Sequence, residues 1–206
     1  MSLSFVDPPT AETVALLEDL KHQPQHGTQA RYGLGTCADH LQKTEPGRAG
    51  TIVAGLAKDL QSSQDPKDKA AYLRALGNSG HPDALAAIQP YLTDPNPGVR
   101  AAAADALRAI PNPLADQDLA LVLKRDTSPD VRRTSLEAMS KRSTAPVTVY
   151  AVRDNLKSEP DARVRRQAVN TAIGWKSVAP VLRESLEIVA KNDADPGIRD
   201  LASRGL

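Results

Sequence analysis

A turn-and-helix motif that returns down the chain constrains its fold more than any other feature. At Asp94-Pro95-Asn96-Pro97-Gly98-Val99-Arg100 an acid precedes four residues rich in Pro and Gly, then an aliphatic residue and an Arg. The same skeleton runs from Asp126 to Val131-Arg132, from Glu159 to Val164-Arg165 and from Asp193 to Ile198-Arg199. The aliphatic positions are separated by 32, 33 and 34 residues, a slowly varying step in the range of helical repeat arrays. Four and seven residues after them stand Ala103 and Ala106, Ser135 and Ala138, Ala168 and Thr171, and Ala202 and Gly205. Those offsets share one helical face, and small residues there let a neighbouring helix approach closely. A helix of this kind hides its apolar stripe only by stacking on the next repeat.

Taken in order, residues 1–8 read as a loose tail or cloning remnant, and 9–206 as a single solenoid domain cut from a larger protein. The first helix is expected from Pro9-Thr10 to about His22. A second follows from Thr28 to Leu41, where Gly33 and Gly35 cost about 1 kcal/mol each relative to Ala and imply close helix contact. Further helices are expected over Arg48–Gln61 and Lys67–Asn78, then from His81-Pro82 onward with Pro90 as a kink. Later ones are Pro97–Ile110, Leu114–Arg125, Pro129–Lys141, Pro146–Lys157, Asp161–Gly174, Ser177–Asn192 and Pro196–Leu206. No segment reads as a strand. The expected class is all-α, a right-handed α-α superhelix of about six antiparallel helix pairs.

The stretch Val99-Arg100-Ala101-Ala102-Ala103-Ala104-Asp105-Ala106-Leu107 resembles the second helix of a HEAT repeat, with looser copies at Val131–Met139, Val164–Ala172 and Ile198–Leu206. A further resemblance covers Arg31 to about Ala172. It lies in Tyr32-Gly33-Leu34-Gly35-Thr36, in Leu56-Ala57-Lys58-Asp59-Leu60, and in Tyr72-Leu73-Arg74-Ala75-Leu76-Gly77-Asn78-Ser79-Gly80-His81-Pro82. These strings are similar to the helical domain of the large lipid transfer proteins, the vitellogenin and apolipoprotein B group. That resemblance implies a curved two-layer helical array, which in the family wraps a lipid cavity built mainly of β-sheets. The sheets, the family's N-terminal barrel and its extra cysteines are missing from this sequence, so the resemblance implies the scaffold and not the lipid site.

Composition narrows the partners. Aromatic residues make up 3% of the chain, so packing rests on Ala, Leu, Val and Ile. A net charge of +1 gives no bias toward nucleic acid or an anionic membrane. No run approaches the ~18 apolar residues of a membrane span, and the N-terminus carries no secretory-signal pattern. The one cysteine, Cys37, excludes an internal disulfide framework and assigns no compartment.

Two sets of residues are candidates for interaction. Arg100, Arg132, Arg165 and Arg199, with Asp94, Asp126, Glu159 and Asp193, read as a structural ladder in which acid and Arg pair across turns and cap the following helix. Arg74, Arg108, Arg133, Glu137, Arg166, Asn170 and Arg204 fall on the outward side of the second helices, the concave surface of a HEAT-like stack, and are the candidate partner-binding residues. Between Asp130 and Lys176 ten Lys or Arg face five Asp or Glu, an excess suited to an acidic partner or to a solvated face. Trp175 reads as a cap on the core between the last repeats, and Tyr72, Tyr91 and Tyr150 as wedges in helix seams. His22, His26, Cys37 and His40 cluster in sequence but lack four convergent ligands for a structural metal. No nucleophile stands beside a base in a catalytic pattern, so neither cofactor nor metal is expected.

Three functions follow. The first is a non-catalytic scaffold that binds a protein or peptide on the concave face. The second, carried by the resemblance, is the helical module of a lipid carrier. The third is a HEAT-like lyase or nucleic-acid enzyme, since such repeats also build phycobilin lyases and alkylpurine DNA glycosylases. The scarcity of aromatic stacking platforms weighs against nucleic acid. A repeat helix that reaches Gly205-Leu206 is expected to meet further repeats or a second copy at that end.

Overall fold

Helix starts dominate the local structure. The structure, a computed structural model, describes residues 9–206; the expected tail at 1–8 lies outside the described residues. Among the described residues twelve α-helices form and no strand. Seven of them open on Pro, at 46, 66, 97, 113, 129, 146 and 196, where the missing N–H is one a helix leaves unpaired anyway. Several have a side-chain cap as well. Asn96 Oδ1 accepts from the N–H groups of Gly98 at 2.8 Å and Val99 at 3.4 Å. Asp161 and Asp195 do the same for the helices after them, at 2.7 to 3.2 Å.

The chain divides between Asn112 and Pro113 into two compact units. The first holds α1 (Ala11–Leu20), α2 (Gly27–Leu41), α3 (Pro46–Ser62), α4 (Pro66–Ser79), α5 (Ala84–Ile88) and α6 (Pro97–Ala106). Here α2 packs on α4 and α4 on α6 in one layer, while α1, α3 and α5 lie against them in a second. The other unit holds α7 (Pro113–Arg125), α8 (Pro129–Ser140), α9 (Pro146–Ser158), α10 (Ala162–Trp175), α11 (Val181–Asn192) and α12 (Pro196–Arg204). Its layers are α8, α10, α12 and α7, α9, α11. The all-α class and six helix pairs are present.

All eight small residues at the four and seven offsets are buried. Layer contact in the first unit is closest at two glycines. A Cβ on Gly35 would stand 2.1 Å from the Ala75 carbonyl oxygen, and one on Gly77 would stand 2.6 Å from Ala106 Cα. Either is far inside van der Waals contact, so α2, α4 and α6 touch backbone to backbone.

Three helices have a boundary that differs from the sequence expectation by three residues or more, each for a local reason. The helix expected from His81 shrinks to α5, because Pro90 removes an amide and the chain tightens into a 3-10 turn over Gln89–Thr93. α6 ends at Ala106 and closes in a 3-10 turn over Leu107–Ala109. α11 begins at Val181 and not at Ser177, because the amides of Val178 and Ala179 both close on the Trp175 carbonyl. Trp175 itself ends α10 and is 6% exposed.

Candidate interaction surface

The repeat turns are wired in a fixed pattern. Each acid accepts from the backbone N–H two residues on: Asp94 from Asn96 at 2.8 Å, Asp126 from Ser128 at 2.8 Å, Glu159 from Asp161 at 3.0 Å and Asp193 from Asp195 at 2.8 Å. Each Arg then returns to its own turn. One guanidinium nitrogen takes the carbonyls five and six residues before it, for Arg100, Arg132, Arg165 and Arg199 alike, at 2.6 to 3.3 Å. The other two nitrogens of Arg132 fork onto Glu159 at 2.9 and 2.6 Å, and those of Arg165 onto Asp193 at 2.9 and 3.1 Å. The partner is therefore the acid of the following repeat. The acids hold the turn, and the caps expected of them are supplied two residues later by Asn96, Asp161 and Asp195. An acid at the ladder position is too far ahead of the helix to reach its N2 and N3 amides.

Ion pairing and hydrogen bonding, against burial, set the charge state of this ladder. Desolvation pushes the Glu159 carboxyl up, but the Arg132 fork, the Asp161 amide and the Asn155 side chain outweigh it and hold Glu159 below the usual carboxylate range. Asp193 is lowered in the same way, burial opposing and Arg165 with the Asp195 amide prevailing. The side chains of Arg132 and Glu159 are 11% and 2% exposed.

Two further pairs belong to this framework. Lys69 donates to Asp94 at 3.2 Å and stands three residues after Pro66, as Arg100 stands three after Pro97. That spacing was the available signal; Lys in place of Arg, and Asp68 in place of the aliphatic residue, conceal it. Arg142 forks onto Asp116 at 2.7 and 3.1 Å, a pairing between the turn after α8 and α7 that no sequence spacing announces.

The candidate partner residues lie on the second helices and, for Arg108, in the 3-10 turn that follows α6. In the second unit, Arg133 and Glu137 on α8 join Arg163, Arg166, Gln167 and Asn170 on α10 and Asp195 around a groove of about 360 Å³. Arg133 donates to Glu137, and Arg166 lies 3.8 Å from Asp195. Arg204, also exposed, donates to Asp200 on α12. In the first unit Arg108 bonds Asp105 at 2.8 Å and Asn78 at 2.7 Å, beside a cavity of about 620 Å³. Arg74 reaches the Tyr32 hydroxyl at 3.3 Å. The basic excess over 130–176 is mostly matched: Arg132, Arg142 and Arg165 close on ladder or interhelical acids, Arg133, Arg153 and Arg163 on neighbouring ones, and Lys176 on the Gly205 carbonyl. The face carries mixed charge.

Of the aromatic residues, Tyr72 is 3% exposed beneath the Arg31 guanidinium, 4.3 Å from its ring centre. Tyr91 donates its hydroxyl to the Leu60 carbonyl at 3.2 Å. Tyr150 corrects the expectation of a seam wedge: it is 52% exposed with Arg153 stacked on it, because Val149 and Val152 take the inward side of α9. Cys37 is fully buried, and burial pushes its thiol up. His40 is exposed, with Nδ1 on the Thr36 carbonyl at 2.8 Å. Among the described residues no group of three or more His, Cys, Asp or Glu is placed to hold a metal, and no helix is long and apolar enough to cross a membrane.

Comparison with known proteins agrees with this architecture. Residues 53–140 match the family model for HEAT repeats. No curated protein matches the chain. Among solved structures, a chain of the complex of CpcE and CpcF of phycocyanin lyase from Nostoc sp. PCC7120 is 20% identical with a TM-score of 0.58, covering 75% of this chain and 98% of that one. A designed armadillo repeat protein in complex with the peptide (KR)4 is 15% identical with a TM-score of 0.56, covering 95% and 98%. An engineered protein is 20% identical with a TM-score of 0.54, covering 96% of both chains. What this chain shares with them is the fold, that of a HEAT-like helical repeat protein.

Proposed function

We propose that the chain is a non-catalytic interaction scaffold that binds a protein or peptide partner along the outer face of its second helices. The observation that carries this reading is the groove around Arg133, Glu137, Arg166 and Asn170. There, side chains at one register of successive repeats converge, and neighbouring carboxylates orient two of the arginines. Preoriented polar groups lose little entropy on binding, and an array of repeats offers them along an extended line. The designed armadillo neighbour, which carries a peptide, shows that a related fold suits such a ligand.

The test is native mass spectrometry of complexes captured from the source organism, with wild type and an Arg133→Ala/Arg166→Ala variant. An equimolar protein complex that the variant loses at least tenfold, without chemical turnover, supports the reading. A complex indifferent to both substitutions refutes the face.

The lipid-carrier alternative rests on the string from Tyr72 to Pro82, and that string has packing work of its own. Gly77 meets Ala106, the Ser79 hydroxyl donates to the Leu76 carbonyl at 2.6 Å, and Gly80 takes the left-handed conformation at φ 56°. Lipid that leaves the protein on gentle organic extraction would favour that alternative. The lyase alternative has behind it the fold shared with the phycocyanin lyase chain.

A further inference from the structure

The ladder of the second unit has one open rung. Arg199 is held by its own turn as the other ladder arginines are, with one guanidinium nitrogen on the carbonyls of Asp193 at 2.6 Å and Ala194 at 3.3 Å. In Arg132 and Arg165 the same hold aims Nε and Nη2 at the acid of the following repeat, which they meet at 2.6 to 3.1 Å. Nε and Nη2 of Arg199 have no acceptor among the described residues, and neither is sealed from solvent. Asp193 feels the charge of Arg199 but gives both carboxylate oxygens to Arg165. A lysine accompanies each filled fork. Lys124 borders a groove with Arg132, Ser158, Glu159 and Pro160, and Lys157 borders the next with Arg165, Asn192 and Asp193. Each stands two residues before the acid of its own repeat, and Lys191 has that place before Asp193. All three sit in the last turn of a helix, where a cation favours the dipole. Lys191 is exposed and unpaired among the described residues.

We propose that Arg199, together with Lys191, is a docking point for a carboxylate of a partner protein, an Asp or Glu carried on an exposed turn. The chemistry of the occupant is read from the two filled rungs. Both take a carboxylate, one from Glu159 and one from Asp193, and in both the acid also accepts from the amide two residues on, at 3.0 and 2.8 Å. A bidentate fork selects the charge and planar shape of its ligand, and these two rungs accept either length of acid. The turn carbonyls already fix the Arg199 guanidinium, so little side-chain freedom is lost when a carboxylate arrives. A second copy stacked by its α1–α2 turn would bring Gln23-Pro24-Gln25-His26, which carries no acid.

The test pans a phage-displayed library of disulfide-closed eight-residue loops, each with one fixed Asp or Glu, on the full chain. Affinities of synthesised binders are measured by fluorescence anisotropy. Replacing the acid of such a binder by the matching amide is expected to cost at least tenfold in wild type, and less than twofold in Arg199→Gln. Lys191→Gln is expected to weaken binding about threefold, as one lost charge near the surface does. Arg133→Ala/Arg166→Ala is expected to change nothing, which keeps this site separate from the outer face of the second helices. Circular dichroism of each variant confirms folding. NMR of wild type with isotope-labelled arginine reads the contact without a variant in the binding step: the Arg199 Nε–H, assigned by its loss in Arg199→Lys, is expected to exchange freely with solvent and to slow at least tenfold under the binder. A library without any binder whose acid dependence is lost in Arg199→Gln overturns the proposal, and so does an Arg199 Nε–H indifferent to the binder. A wild-type dimer in sedimentation that Arg199→Gln dissociates overturns it too, since the occupant would then be a second copy of the chain.

Discussion

Replacing Arg132 by Met keeps the aliphatic stem and removes the guanidinium, and the structure sets the cost. Two bonds to the carbonyls of Asp126 and Thr127 disappear, and the fork onto Glu159 disappears with them. Glu159 keeps the Asp161 amide and the Asn155 side chain, but its carboxylate, 2% exposed, loses the guanidinium that forks onto it. Breaking a buried pair on one side costs about 3–5 kcal/mol, mostly from the charge left behind. The exposed pair of Arg163 and Asp130, each 63% exposed, supplies the control, and Arg163→Met is expected to leave the urea midpoint nearly unchanged. Urea denaturation followed by Trp175 fluorescence reads the second unit, since Trp175 is the sole Trp and is buried there. The pH dependence adds a second arm. In wild type the Glu159 carboxyl is lowered, so its contribution is complete above the unfolded value of about 4.3 and fades as pH falls through the folded one. In Arg132→Met burial prevails and the carboxyl rises, so the deficit of the variant is expected to shrink as pH falls from 7 toward 4. A deficit below about 1 kcal/mol at pH 7, unchanged at pH 4, would refute the claim that the fork neutralises a buried charge.

Gly35→Ala and Gly77→Ala are expected to destabilise the first unit by more than about 2 kcal/mol, since each new methyl must displace backbone. Gly55→Ala, with nothing within 4 Å of the new atom, is expected to stabilise it by about 0.5–1 kcal/mol; urea midpoints compare the three. Cys37, fully buried with its thiol pushed up by desolvation, is expected to resist a thiol-reactive disulfide reagent until the first unit opens. Labelling of native protein at the rate of a free cysteine would contradict this.

The sequence announces the repeat because the turn and the helix obey short-range rules: a Pro at the helix start, an aliphatic residue and an Arg at a fixed offset, small residues four and seven later. It also hints at the contacts of Gly33 and Gly35. A Cβ on Gly35 would meet the Ala75 backbone, and one on Gly33 only the Leu17 side chain at 3.2 Å. The contact of Gly77 with the Ala106 backbone was not announced. The pairing of Arg132 with Glu159 and of Arg165 with Asp193 spans 27 and 28 residues, and the choice of the following acid depends on how repeats stack. The exposure of Tyr150 was hidden for a related reason. Val147, Val149, Tyr150 and Val152 form one apolar run in sequence, and only the rotation of α9 decides which of them face inward.

The ladder also bears on how such a chain can lengthen. Arg132 is satisfied by a Glu and Arg165 by an Asp, through the same fork and at nearly the same distances. The joint between successive repeats is therefore tolerant of which acid arrives. A tandem copy of residues 159–192 inserted after Asn192 would present its own Glu159 to Arg165 and offer its own Arg165 to Asp193. Both copies of the ladder Arg would meet an acid without altering a residue on either side. In-frame duplication of one repeat is thereby a small mutational step for this architecture.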